Sequence, residues 1–266
     1  MFNFFRMKIK FYFLFFMLAS IASNAQVNKF FSTHNYTPID QTNVVNLVGG
    51  SILHLDAGNT SSYSGSGTSW NDVSGNGNSV TLPGVLASTF TGTNGGSFLF
   101  GQTSTHSIAD NSLTNFGFAS NAITVEVWYK RVVTTDYQFW FSDNTANYRF
   151  GTNSSGYYFW NMGSRNDRQN NTFSLPAGVW KHIVFTGGLE GGSIVTRLYV
   201  DGSFVFSQNE GYSTLRSMSG FLIGAGENNS VYLLKGNLAV VRVYQKALSA
   251  IEVTQNYNAS KVKFGL

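Results

Sequence analysis

Leu238-Ala239-Val240-Val241-Arg242-Val243-Tyr244 is apolar at both odd and even positions, and it leads shortly into Ser249-Ala250-Ile251-Glu252. Side chains alternate between the faces of a strand, so a strand with two apolar faces belongs inside a packed sheet. Leu238, Val240 and Tyr244, with Arg242 among them, fall on one side; Ala239, Val241 and Val243 fall on the other. The Ser-x-x-Glu that follows is a capping box, with the hydroxyl at the N-cap and the carboxylate at N3, and predicts a helix start. A buried strand followed by a short capped helix suits the closing edge of a β-sandwich. Neither element does chemistry.

The segments upstream repeat the strand signal. In Ala122 to Lys130, Ile123, Val125, Val127 and Tyr129 share one face, while Thr124, Glu126, Trp128 and Lys130 share the other. Further strands are expected at Ser51–Asp56, Val80–Leu82, Tyr137–Ser142, Tyr148–Gly151, Gly156–Met162, Val179–Gly187, Ile194–Val200, Ser203–Phe206 and Phe221–Gly224. Ser97–Gly101 and Thr105–Ile108 read as a hairpin pair, and Asp110–Phe116 as a turn or short helix. Asp201-Gly202 is the strongest turn signal, because a type I′ turn needs positive φ at both central positions. Asn71 to Asn78 is dense in Gly and Asn and predicts a compact multi-turn loop. Many short strands with one late helix define an all-β fold, a two-sheet antiparallel sandwich.

Residues 1–25 read as a signal peptide. Arg6, Lys8 and Lys10 precede the apolar run Phe11–Ala19, which is short of the roughly 20 residues that span a bilayer. Small residues Ser23 and Ala25 place cleavage after Ala25, so secretion to the outside or the cell surface is expected; Met7 opens an equally good signal. Residues 26–46 form a polar lead segment and 47–262 the sandwich domain. Without the signal, 14 basic residues face 13 acidic ones. That near-neutral balance removes the hint of nucleic acid in the whole chain's basic character. No second apolar run is long enough to span a membrane. With no Cys in the chain, disulfides play no part in its stability.

In chain order, Asp56-Ala57-Gly58-Asn59, Trp70-x-Asp72-x-Ser74-Gly75-Asn76-Gly77-Asn78, Thr124-Val125-x-x-Trp128, Trp180-x-His182, Leu198-Tyr199-Val200-Asp201-Gly202 and the closing strand with its Ala247-Leu248-Ser249-x-x-Glu252 helix resemble the bacterial laminin G-like domains. These belong to the concanavalin A-like lectin/glucanase superfamily. The resemblance runs from about Ser51 to Ala259. It implies a jelly-roll sandwich that binds glycans, matrix proteins or cell surfaces, and leads to a secreted, non-catalytic module as the first functional reading. A glycoside hydrolase of the same superfamily is the alternative, and a structural or adhesive component of a surface or phage assembly is a third.

Glycosidases need paired carboxylates, yet no two acids in this chain lie two residues apart, and Glu126 is alone on its strand. His34, His54, His106 and His182 show no zinc spacing, and no Gly-x-Ser-x-Gly elbow occurs. Asp56, Asp72 and Asn76 are candidate Ca²⁺ ligands, oxygen donors on loops. The competing reading has Asp72 capping its own turn. Many members of the family carry an Asp-Glu pair where this chain has Ala239 and Val240. For a glycan, Trp140, Tyr148, Tyr158 and Trp160, with Arg149, Arg165, Asp167 and Arg168, supply rings and hydrogen-bonding groups. Within that set Tyr158 and Trp160 are taken as the outward pair, Tyr157 and Phe159 as the core pair.

Overall fold

The computed structural model describes residues 46–110, 121–164, 166–218, 220–226 and 231–266. The expected signal peptide, the lead segment up to Val45, Arg165 and most of the expected turn at Asp110–Phe116 lie outside them. Among the described residues the strands are β1 (Ser51–Asp56), β2 (Ser69–Trp70), β3 (Val80–Thr81), β4 (Phe98–Gly101), β5 (Ile108–Asp110), β6 (Ala122–Arg131), β7 (Gln138–Ser142), β8 (Tyr148–Thr152), β9 (Tyr157–Met162), β10 (Arg168–Ser174), β11 (Trp180–Glu190), β12 (Ser193–Val200), β13 (Ser203–Asn209), β14 (Phe221–Ile223) and β15 (Lys235–Tyr244). One turn of helix, α1 (Gly84–Ala87), precedes β4, and α2 (Ala250–Ser260) follows β15.

Two antiparallel sheets carry the fold. The seven-stranded sheet runs β1-β15-β6-β11-β12-β13, with β4 also paired to β15; the six-stranded sheet runs β10-β9-β8-β7-β14-β5. The inner faces meet in one core. Phe150, Tyr158 and Trp160 of the second sheet reach Phe185 of the first at ring separations of 5.5, 6.3 and 5.8 Å. Burial of such rings is the largest favourable contribution in a chain that has no disulfide.

Two expectations need correcting. Ser97–Gly101 and Thr105–Ile108 are not a hairpin. β4 pairs with β15 in one sheet and β5 with β14 in the other, so the connection crosses between sheets. The backbone N–H of Gly101 donates to His106 Nδ1 at 2.9 Å, which holds that crossing. The faces of β15 also do not alternate throughout. The register against β6 shifts between Leu238 and Val240, and this bulge puts Leu238, Val241 and Val243 in the inter-sheet core while Ala239, Val240 and Tyr244 pack outside it.

The outer face of the seven-stranded sheet is covered. Trp128, Trp180, Ala239, Val240 and Phe264 form one cluster there, with Tyr257 of α2 against it. Val184, Tyr199, Tyr244, Leu248 and Val253 form a second. The capping box is present: Ser249 Oγ accepts from Glu252 N–H and Glu252 Oε2 accepts from Ser249 N–H at 2.9 Å. Thr124 Oγ1 then ties strand to helix, donating to Lys246 O at 2.7 Å and accepting from Leu248 N–H at 2.9 Å. At the other strong turn signal, Asp201 and Gly202 have φ of 51° and 75°, as a type I′ turn requires.

Candidate functional site

On β9, odd and even residues are all large, so the alternation itself does not say which set looks outward. The neighbouring strands settle it. Trp140, Tyr148, Tyr158 and Trp160 are each at most 2% exposed and belong to the inter-sheet core. The expectation that Tyr158 and Trp160 face a ligand is therefore reversed. Their polar tips are spent at the edge of the sandwich: Trp160 Nε1 donates to Glu210 Oε1 at 2.9 Å, and Tyr148 Oη to Arg216 O at 2.6 Å. Arg168 turns to the same acid, with Nε 3.1 Å from Glu210 Oε2.

The opposite set makes the outer surface of the six-stranded sheet. Phe139 of β7 and Phe159 of β9 stack with centroids 5.3 Å apart and planes at 23°. Tyr137 stands edge-on to Phe159 at 5.1 Å, and Tyr232 lies 5.1 Å from Phe139 and 5.6 Å from Tyr137. Two local devices put them there. A register shift in β7 between Phe139 and Phe141 leaves Trp140 and Phe141 both inward and Phe139 outward. Gly151 lies opposite Phe139; a Cβ there would come within 2.6 Å of the Phe139 ring and 1.9 Å of Gln138 O. Tyr232 is brought in from the connection before β15, where its carbonyl accepts from Phe139 N–H at 3.1 Å.

Beside these rings Arg149 of β8 and Asp167 form an ion pair. Arg149 Nη1 donates to both carboxylate oxygens at 2.9 and 2.7 Å. Asn161 of β9 adds Nδ2 to Asp167 Oδ1 at 3.3 Å. Together Tyr137, Phe139, Arg149, Phe159, Asp167 and Tyr232 enclose a hollow of about 160 Å³. That is smaller than the roughly 300–1,000 Å³ of sites that engulf a ligand, so it suits one ring or residue of a larger molecule lying across the sheet. Asp167 is the one carboxylate among the lining residues, and a glycosidase requires two flanking the scissile bond. Phe139 and Phe159 are buried, so the half-buried Tyr137 and Tyr232 are the rings that can stack, and the ion pair can hydrogen-bond; the hollow has no acid–base pair.

Of the residues expected from sequence, Arg149 and Asp167 come together here, while Arg165 lies outside the described residues. Phe139, Phe159 and Tyr232 are additions. The signal for Phe159 was the β9 alternation read in the other phase; a bulge in β7 and a residue far along the chain leave none. A second depression of about 450 Å³ lies on the loops between Tyr63, Gly65, Thr68, Ser88 and Phe90. It carries no charged side chain.

The candidate calcium ligands are engaged within the fold. Asp72 Oδ1 accepts from the N–H groups of His54 and Ser74 at 2.8 and 2.9 Å. Its Oδ2 accepts from Ser74 Oγ and Asn78 N–H at 2.7 and 2.9 Å. Four donors on one carboxylate make it the hub of a compact loop, the turn-capping arrangement. Asn76 Nδ2 donates to Ser51 O at 3.0 Å. Asp56 Oδ2 takes the ammonium of Lys263 at 2.7 Å, and Oδ1 the N–H of Gly58 at 3.0 Å. A cation there would have to displace Lys263. No group of three or more His, Cys, Asp or Glu positioned for a metal occurs among the described residues.

The remaining acid expected to be of interest, Glu126, is buried beneath α2. Arg242 Nη1 donates to its Oε1, which also lies 3.0 Å from His182 Nε2; Asn256 Nδ2 donates to Oε2 at 2.7 Å. Arg242 Nε donates to His54 Nε2 at 3.0 Å. Burial alone would raise the Glu126 carboxyl, but Arg242, then His182 and Asn256, outweigh it and hold the group down to about 2. This is a structural network, closed to any substrate.

These two sheets and their covering helix define a concanavalin A-like sandwich. A model of the concanavalin A-like lectin/glucanases superfamily, laminin G type, matches residues 100–254. The chain belongs to that family. No curated protein sequence gives a significant match. Among solved structures, the receptor-binding domain of botulinum neurotoxin type G is similar with a TM-score of 0.58 and 13% identity over 79% of this chain and 51% of that one. The binding domain of Paraclostridial mosquitocidal protein 1 gives 0.58 and 18% over 79% and 52%. The chain thus spans about half the length of these two. Domain 4 of AbnA, an extracellular GH43 arabinanase of Geobacillus stearothermophilus solved with arabinotriose, gives 0.53 and 18% over 79% of this chain and 98% of that one. At such identities the likeness is one of fold.

Proposed function

We propose that this chain is a non-catalytic binding module whose partner is a glycan, free or displayed on an extracellular surface. The observation that carries the reading is the ring cluster of Tyr137, Phe139, Phe159 and Tyr232 set beside the Arg149–Asp167 pair on an outer sheet face. Sugars present apolar C–H faces and hydroxyls, and rings with a flanking carboxylate and guanidinium complement both. The arabinotriose in the structurally similar arabinanase domain supports the class of ligand. Export completes the proposal: a mature chain begins at Gln26, and mass spectrometry of secreted protein finding residues 1–25 retained would refute that part.

A glycan array with mature protein, run with and without Ca²⁺, tests the function. The double variant Tyr137→Ala/Tyr232→Ala is the control, since both rings are only half-buried. It should lose binding and keep its melting temperature within a few degrees. Unchanged binding by that variant moves the site elsewhere, the depression between Tyr63 and Phe90 first.

A further inference from the structure

We infer that the hollow selects uncharged glycans and discriminates against acidic ones, an inference that rests on the glycan-binding reading above. The argument is one of local charge. Two charged side chains line the hollow, and they are bound to each other: both oxygens of Asp167 take Arg149 Nη1, at 2.9 and 2.7 Å. The other four lining residues are Phe and Tyr. Asp136 adjoins at Tyr137, whose N–H its Oδ1 accepts at 2.7 Å. Arg168, the next cation along β10, is directed to the opposite side of the sheet and held by Glu210. Among the described residues the charges at the hollow therefore sum to neutral or slightly negative.

A uronate or sialate carboxylate entering here would gain Arg149 only by competing with Asp167. It would also lie beside that acid and Asp136, at the cost that like charges impose in a partly desolvated site. A neutral sugar has no such conflict. Its hydroxyls can donate to Asp167 and accept from Arg149 with the pair left intact, because a carboxylate has more acceptor positions than one guanidinium occupies. The Asp167 side chain is 42% exposed against 13% for Arg149, so the acceptor, rather than the cation, is the group presented outward. A neutral diol fits that presentation and an anion does not.

Matched trisaccharides test this, each pair differing at C6 alone: gluco against glucurono, galacto against galacturono, manno against mannurono. Calorimetric titration of the mature protein at low salt should find the neutral member of any binding pair tighter by about tenfold or more. Asp167→Asn raises the local charge by one unit. It should weaken the neutral ligand and narrow or reverse the preference. Added salt should narrow the wild-type preference too, since charge discrimination at a half-exposed site is screened. An acidic trisaccharide that binds as tightly as its neutral mate, or tighter, overturns the inference and leaves the glycan reading standing. If no member of any pair binds to wild type, and the array is blank as well, the glycan reading falls and the inference with it.

Discussion

The two sheets each turn one face away from their shared core, and the chain treats those faces in opposite ways. On the seven-stranded sheet the outward face carries His54, Arg242 and Glu126 in register on three adjacent strands, with His182 of the fourth two residues off that row. These charged and polar groups would be comfortable in water, yet α2 is laid over them and Trp128, Trp180 and Phe264 seal the rest. On the six-stranded sheet the outward row is rings, which water disfavours, and the described residues leave a hollow among them. Polar side chains are buried on the first face, while on the second Phe139 and Phe159, 1% and 8% exposed, are shielded by the half-buried rings of Tyr137 and Tyr232. Structural demands explain the first, because a buried carboxylate with three partners ties β6 to β15, β11 and α2. On the second face Tyr137 and Tyr232 stay half-buried around the hollow, apolar surface that a bound molecule would cover.

The largest effect separates core rings from surface rings. Tyr158→Ala with Trp160→Ala removes two aromatic side chains from the inter-sheet core, each truncation costing about 3–5 kcal/mol. The sum is of the order of a domain's whole stability, so the double variant should be unfolded at room temperature by circular dichroism. A folded double variant would mean the phase of β9 is reversed. Next, Glu126→Gln leaves Arg242 buried without its counter-charge. A loss of about 3–5 kcal/mol is expected in denaturant melts, and one below 1 kcal/mol would show that the covered face is wet.

The third prediction concerns pH. Burial, then the Arg242 charge, pushes His54 from 6.5 down to about 4, with Lys263 acting in the same direction and Asp56 and Glu126 opposing. Between those values the unfolded chain holds a proton the folded one refuses, so stability falls as pH drops from about 6.5 to about 4. The shift is worth about 3 kcal/mol. Glu126 has the depressed pKa of a stabilised carboxylate. Its contribution is intact above about 4.5 and is lost as pH falls toward about 2. Melts at stepped pH should show the two losses in that order, and His54→Gln should flatten the upper one alone. An unchanged upper slope would assign it elsewhere. The smallest effect belongs to the open face: Tyr137→Ala should cost about 1 kcal/mol, the scale of an aromatic pair. A loss of several kcal/mol would mean that Tyr137 is part of the core, and that the two faces are less different than they look.

Much of this is legible in the sequence. Ile123, Val125, Val127 and Tyr129 do face the core, Asp201-Gly202 does make the turn, and Ser249 and Glu252 do cap the helix. Each is a local pattern with one physical solution. What fails does so for two reasons. Bulges at Phe139–Phe141 and at Leu238–Val240 exchange faces partway along a strand, and a period-2 reading has no means of placing an inserted residue. On β9 both faces are aromatic, so hydrophobicity carries no phase. The pair expected to face outward, Tyr158 and Trp160, accordingly lies in the core, and Phe159, expected in the core, lies on the outer face. Tyr232 joins from a separate connection, and sequence proximity gives no hint of it.

The partners of Glu126 have a consequence for how the molecule comes into being. His182, Arg242 and Asn256 stand 56, 116 and 130 residues further along the chain. Joining them closes long loops whose entropy is lost before the contacts repay it. Sheets assembled from such distant segments are slow, with times of milliseconds to seconds for sandwiches. Until α2 docks, the carboxylate is solvated and its strand registers are unsealed. Stopped-flow refolding followed by tryptophan fluorescence should therefore report the environment of Trp128, beneath the helix, no earlier than that of Trp140 in the core.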